Sequence, residues 1–368
     1  MAYDKNLLER LATVDTILSD GDQTLWPIIE IHARGRFSFI EDISMRTGIE
    51  QETLMREIGD AARVTKDVIW HHAPFTRSKT LLQWGLDQGI VQDHSGAMQL
   101  LDVLLLPQDD LSPQELENLD RVIDGYNKVA VAPLHAALAT ELEAINTVDH
   151  DMEPFNGIPE MLRALSHPDL DIQHRVLFSG QIAALAADFV GRFEFEPYFT
   201  GLFTKGNAPS EERDYGLDEH EEYYPGRTHM VWNRTHAAKK SSAGLESVLA
   251  HLGVADPTRV LVFGDHPRED VEFPQQIGAL GGHITWGRDT MWPLVKALAP
   301  YCWYQESQVK AAEELAASGT FAPDLTLEHP LELIEALSLS RGLDPDVILR
   351  ESAHGAYERG GMECRIEY

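Results

Sequence analysis

Three short apolar runs, VDTILS at 14–19, HRVLFS at 174–179 and RVLVFG at 259–264, are rich in β-branched and large aliphatic residues, and none alternates with polar ones. A strand that is apolar on both sides must be buried on both sides, which is the situation of a parallel sheet covered by helices on each face. Helical patterns separate the runs: IPEMLRAL before the second, QIAALAADFVGRF after it, and segments from about Ser241 to Leu252 and from Glu269 to Ile277 around the third. A short strand at GHITW and a last one at PDLTL, 323–327, complete the expectation of a Rossmann-like, doubly wound α/β core.

The alternation is interrupted once on a large scale. From about Pro27 to His150 the chain reads as helix, with MQLLDVLLL, a capping box at Ser112–Glu115 and NKVAVAPLHAALATELEAI, and without a convincing strand. The expected organisation is a core from 1–26 and 150–340, an inserted all-helical domain from 27–149 and a polar extension from 341–368. A polar stretch at about 206–234 has too few apolar residues to pack as a core element.

Composition narrows the partners. The 368 residues carry 60 acidic and 30 basic side chains, a formal charge of -30. Such a surface repels phosphate backbones and anionic lipid, so neither nucleic acid nor a membrane is an expected partner. The two cysteines, Cys302 and Cys364, form no framework, which together with the polar start MAYDKNLLER points to the cytoplasm. Segment 41–58 has the outline of a helix-turn-helix with Gly48 at its turn. Its Glu41, Asp42, Glu50, Glu52 and Glu57 outnumber Arg46 and Arg56, so a helical hairpin is the better reading.

In doubly wound sheets the ligand lies beyond the carboxyl ends of the strands. Here those ends read Asp20-Gly-Asp22-Gln-Thr24-Leu25, Ser179-Gly180 and Gly264-Asp265-His-Pro-Arg-Glu-Asp270. Asp20 and Asp22 stand two positions apart, and like charges this close call for a cation, a shared proton or full exposure. A calcium-binding EF-hand is a poor match, since its sixth and twelfth positions would be Leu25 and Ile31. A solvated turn for DGDQT, and a helix N-cap for Ser179, are the plain alternatives.

In order and placement these segments resemble the haloacid dehalogenase (HAD) superfamily. Its first motif, DxDx[TV][LV] after an apolar strand, stands as Asp20, Asp22, Thr24 and Leu25. Its second matches Ser179, and its fourth, GDxxxxD, matches Gly264, Asp265 and Asp270. The third is a lysine just ahead of a helix, offered by Lys239 or Lys240, with Lys205 a distant third choice.

The resemblance covers about 12–26 and 150–335, while 27–149 corresponds to the family's cap in position only. It implies that Asp20 is the nucleophile, forming an aspartyl-phosphate, and that Asp22 is the general acid and base. It further implies Mg²⁺ held by Asp20, the Asp22 carbonyl, Asp265 and Asp270, and phosphate oxygens held by Ser179 and the lysine. Thr24 and Gly180 are expected near the substrate. So are Arg77 and Lys79, from the locally basic HHAPFTRSK, if an anionic substrate enters under the cap.

Carbon-acting dehalogenases of the family lack an acid at the position of Asp22. The implied activity is therefore hydrolysis of a small phosphorylated substrate, with a phosphomutase or a non-catalytic binding protein as rivals. His220 and His229 lie in the polar stretch among acidic residues without a recognised zinc spacing, so a loop or small lid is expected there.

Overall fold

The computed structural model describes residues 3–65, 79–89, 152–205, 231–235, 241–298 and 322–355, together with 140, 144, 309 and 310. The chain divides into two compact units. One comprises Met1–Pro27, Glu153–Thr290 and Phe321–Tyr368, and the other Ile28–Met152 and Met291–Thr320. Met291–Thr320 belongs to the second unit, whereas the expected boundaries place it in the core.

Among the described residues the first unit has seven strands: β1 Thr16–Ser19, β2 His174–Ile182, β3 Gly201–Lys205, β4 Val231–Thr235, β5 Val260–Gly264, β6 Leu280–Ile284 and β7 Leu325–Leu327. They lie in the order β4-β3-β2-β1-β5-β6-β7, and every neighbouring pair is parallel. This is the doubly wound α/β architecture expected from the three apolar runs. Every residue of β1, β5 and β6 is buried, as two-sided coverage requires. On one face Leu18, Val176, Phe178, Phe203 and Val262 pack with Leu245 and Val248 of the helix Ser242–Leu252. That helix starts where Ser241 Oγ accepts from the Gly244 amide and ends at Gly253 in the left-handed region.

Two expectations need correction. The polar stretch ends in a strand, β4, which pairs with β3 from Gly201↔Val231 to Lys205↔Thr235. An edge strand is held by one main-chain ladder, so it forms with little apolar content. Its remaining part, 206–230, with His220 and His229, lies outside the described residues. The C-terminal extension also contributes structure: the helix Pro345–Gly355 packs on the helices Ile158–Leu165 and Pro330–Ser340, with Ile348 buried.

Arg341 joins this end of the chain to the sheet. Its guanidinium donates to the carbonyls of Leu11 and Leu337, each at 3.1 Å, and to that of Val14. Burial lowers its pKa below the ordinary guanidinium value, against the opposing pull of Asp171 and Asp15. Arg341→Ala leaves these carbonyls without their charged donor, and we expect a loss of about 3 kcal/mol in urea unfolding. Stability within about 0.5 kcal/mol of wild type would show that water replaces the guanidinium without penalty.

In the second unit the helices Ile28–Thr47, Gln51–Thr65 and Lys79–Asp87 are described. The first two form the expected hairpin, with Gly48 at φ +73° in the turn. Trp84 is buried and its indole donates to Glu57 at 3.2 Å. The helical segments expected between 90 and 139 lie outside the described residues. Among the described residues no helix is long and apolar enough to cross a membrane.

Candidate metal and phosphate site

The site forms where β1 and β5 end side by side. Register pairs Ser19 with Leu177 of β2 and with Phe263 of β5, so β1 and β5 end together at one edge of the sheet, while Ser179 lies two residues further along β2. The ladder runs one residue past β1, as the Asp20 amide donates to the Phe263 carbonyl at 3.0 Å. This fixes Asp20 beside Gly264.

Asp270 is brought back to the same place by an unusual turn. Residues Pro267–Glu272 form a π-helix, followed by an α-helical turn Phe273–Gln276, where an ordinary helix from about Glu269 was expected. The wider turn returns Asp270 towards the start of the loop, where its Oδ2 accepts from the His266 amide at 2.9 Å. His266 Nδ1 accepts from the Glu269 amide at 3.2 Å and so caps the turn.

Carboxylate oxygens of Asp20, Asp265 and Asp270 consequently lie within 4.8 Å of one another, with Asp20 and Asp270 buried and Asp265 partly so. Concentrated, buried negative charge of this kind is costly without a compensating cation. The donor set is all oxygen, which suits a hard divalent ion such as Mg²⁺ better than zinc or copper.

The segment after Asp20 is a tight loop. The Gly21 carbonyl accepts from the amides of Thr24, Leu25 and Trp26 at 3.2, 2.7 and 3.3 Å, and the Gln23 amide donates to the Trp26 carbonyl at 2.8 Å. Gln23 takes φ +57° to close it. Asp22 is partly exposed, and its Oδ1 accepts from the Trp26 indole at 3.0 Å.

Thr24, expected next to the substrate, has a fully buried side chain, and its hydroxyl has no hydrogen-bond partner among the described residues. Its carbonyl accepts from the Trp286 indole at 2.9 Å, and that of Leu25 from the Phe155 amide at 3.0 Å. Thr24 and Leu25 therefore anchor the loop to the core, where a stiff β-branched side chain and an apolar one pack well.

Ser179 is buried in β2 opposite Thr204, and the ladder is irregular between Ser179 and Ile182. Gly180, next to it, is exposed. Lys205 ends β3 and pairs with Ile182 and Thr235. Lys79 opens the helix Lys79–Asp87. Arg77, Lys239 and Lys240 lie outside the described residues. The structure thus gathers Asp20, Asp265 and Asp270. It adds two residues that sequence reasoning missed, His266 and Trp26; the only signal for the second is that a buried indole N–H needs an acceptor nearby.

No family model and no curated protein matches the sequence. Among solved structures the chain is similar to a haloacid dehalogenase-like family hydrolase from Streptococcus pneumoniae, at 13% identity over 88% of this chain and 98% of that one, with a TM-score of 0.36. It is also similar to a protein described as the HAD hydrolase YfnB from Bacillus subtilis, bound to magnesium, at 11% identity over 74% and 87% of the two chains and a TM-score of 0.36. A third is a 2-haloacid dehalogenase from Pseudomonas syringae, at 17% identity over 74% and 86%, with a TM-score of 0.32.

Proposed function

We propose that the chain is a Mg²⁺-dependent hydrolase of the HAD type that removes phosphate from a phosphomonoester of a small metabolite. The observation that carries this reading is the meeting of the Asp20, Asp265 and Asp270 carboxylates within 4.8 Å at the ends of β1 and β5. These three, with the Asp22 carbonyl, would hold the ion. When bound, the ion offsets their charge and that of the incoming phosphate.

The chain's own groups then divide the work. Asp20 attacks phosphorus, its carboxylate oxygen forming the new P–O bond as the bond to the alcohol breaks, and Asp22 gives the leaving oxygen its proton. In the second half Asp22 takes a proton from water. The water oxygen bonds to phosphorus and the bond to Asp20 breaks, restoring both carboxyl groups. Ser179 and Lys239 or Lys240 are assigned to the phosphate oxygens. The Asp22 carboxyl favours this chemistry over dehalogenation, which has no leaving alkoxide to protonate. The lone cysteines fit a reducing compartment, and the cytoplasm is part of the same reading.

The test is a screen for released phosphate over a broad panel of phosphate esters, with a parallel assay of halide release from 2-haloacids. Phosphate release that needs Mg²⁺ and falls at least about 100-fold in Asp22→Asn is expected. Halide release without phosphate release would overturn the substrate class, and silence in both assays would favour a binding protein that keeps the fold.

A further inference from the structure

We propose that Trp26 is a positioning residue for the Asp22 carboxyl group, an inference that rests on the phosphatase reading above. The indole Nε1–H donates to Asp22 Oδ1 at 3.0 Å. The donor is rigid. Trp26 is fully buried, its ring centroid 5.1 Å from that of Phe189 and 6.1 Å from that of Phe193. On another side it lies against Gly21, where an added Cβ would stand 2.7 Å from the indole Cζ2. Its backbone is closed into the loop by the bonds to Gly21 and Gln23.

The acceptor, by contrast, is on a partly exposed side chain that would sample several rotamers if nothing held it. A group that must meet a leaving oxygen at hydrogen-bond distance gains rate from being held before the substrate arrives. Thus the indole fixes one carboxylate oxygen of the proton-transfer residue, and the aromatic cluster fixes the indole.

A plainer role is conceivable for the same contact: a buried indole N–H takes the nearest acceptor, and only stability depends on it. The two roles part in Trp26→Phe, which keeps an aromatic ring in the cluster and removes the N–H. If Trp26 positions Asp22, kcat falls roughly 10- to 100-fold while KM and the Mg²⁺ activation constant stay unchanged. The same change then adds nothing in an Asp22→Asn background. Assays run well below the melting temperature of each variant keep folding out of the comparison.

A readout independent of turnover is the indole ¹H–¹⁵N spectrum, in which the Trp26 resonance, assigned by its loss in Trp26→Phe, should move and exchange faster in Asp22→Ala. Wild-type kcat in Trp26→Phe, an equal loss in the Asp22→Asn background, or an unmoved resonance would each overturn the proposal. Absence of phosphate release by wild type defeats the phosphatase reading instead, and the resonance still decides whether the indole holds Asp22.

Discussion

Asp20→Asn is expected to abolish phosphate release, lowering kcat by at least about 10³-fold, because a neutral amide oxygen neither attacks phosphorus well nor forms a stable acyl phosphate. The substitution is nearly isosteric, and Asp20 is buried, so packing is preserved. Its electrostatic effect in the metal-free protein runs opposite to its effect on activity. Three carboxylates within 4.8 Å repel one another, and removing one charge relieves the repulsion. In EDTA the variant should therefore melt at the same temperature as wild type or above it. Inactivity together with undiminished metal-free stability separates a lost nucleophile from a damaged fold. Phosphate release at the wild-type rate would remove Asp20 from the reaction and end the aspartyl-phosphate scheme.

The parts of the fold that were legible in the sequence are those where burial acts on every residue. VDTILS, HRVLFS and RVLVFG give β1, β2 and β5 because a central parallel strand has no polar side to interrupt the run. β4 was illegible for the converse reason: as an edge strand it has a single neighbour and draws its stability from main-chain pairing, so VWNRT carries little apolar signal. Asp20, Asp265 and Asp270 were legible as a group because each lies close after a buried strand and the strand ends converge.

What local pattern does not encode is how a loop closes. The left-handed Gln23, the burial of Thr24 and the indole contact to Asp22 follow from the fit of one tight turn against Phe189 and Trp286, which are distant in sequence. The π-helical turn at Pro267–Glu272 is of the same kind. Its sequence, PREDVE, suits a helix start, and the extra residue in the turn is visible only once Asp270 is seen bonded to the His266 amide.

That turn leaves no room for a side chain at Gly264. An added Cβ there would overlap the Asp270 carboxyl group and stand 2.8 Å from Asp20 Cβ, so it meets two of the three acids at once. Neither can step aside cheaply. The Asp270 side chain is tied to the His266 amide, and Asp20 is tied through its own amide to Phe263. Gly264→Ala should cost about 1–3 kcal/mol of metal-free stability by overpacking.

The larger expected effect is on the metal. An ion bound at 100 times its Kd stabilises a protein by about 2.7 kcal/mol, so wild type should show a clear Mg²⁺-dependent rise in melting temperature. In Gly264→Ala the acids are pushed apart, and that rise should vanish at the same Mg²⁺ concentration, with the Mg²⁺ needed for half-maximal phosphate release increasing roughly 100-fold. Parallel melting curves with MgCl₂ and with EDTA measure the first effect, and a Mg²⁺ titration of activity measures the second. If Gly264→Ala kept both the wild-type Mg²⁺ shift and the wild-type activation curve, the ion would have to sit elsewhere, and the convergence of β1 and β5 would lose its chemical purpose.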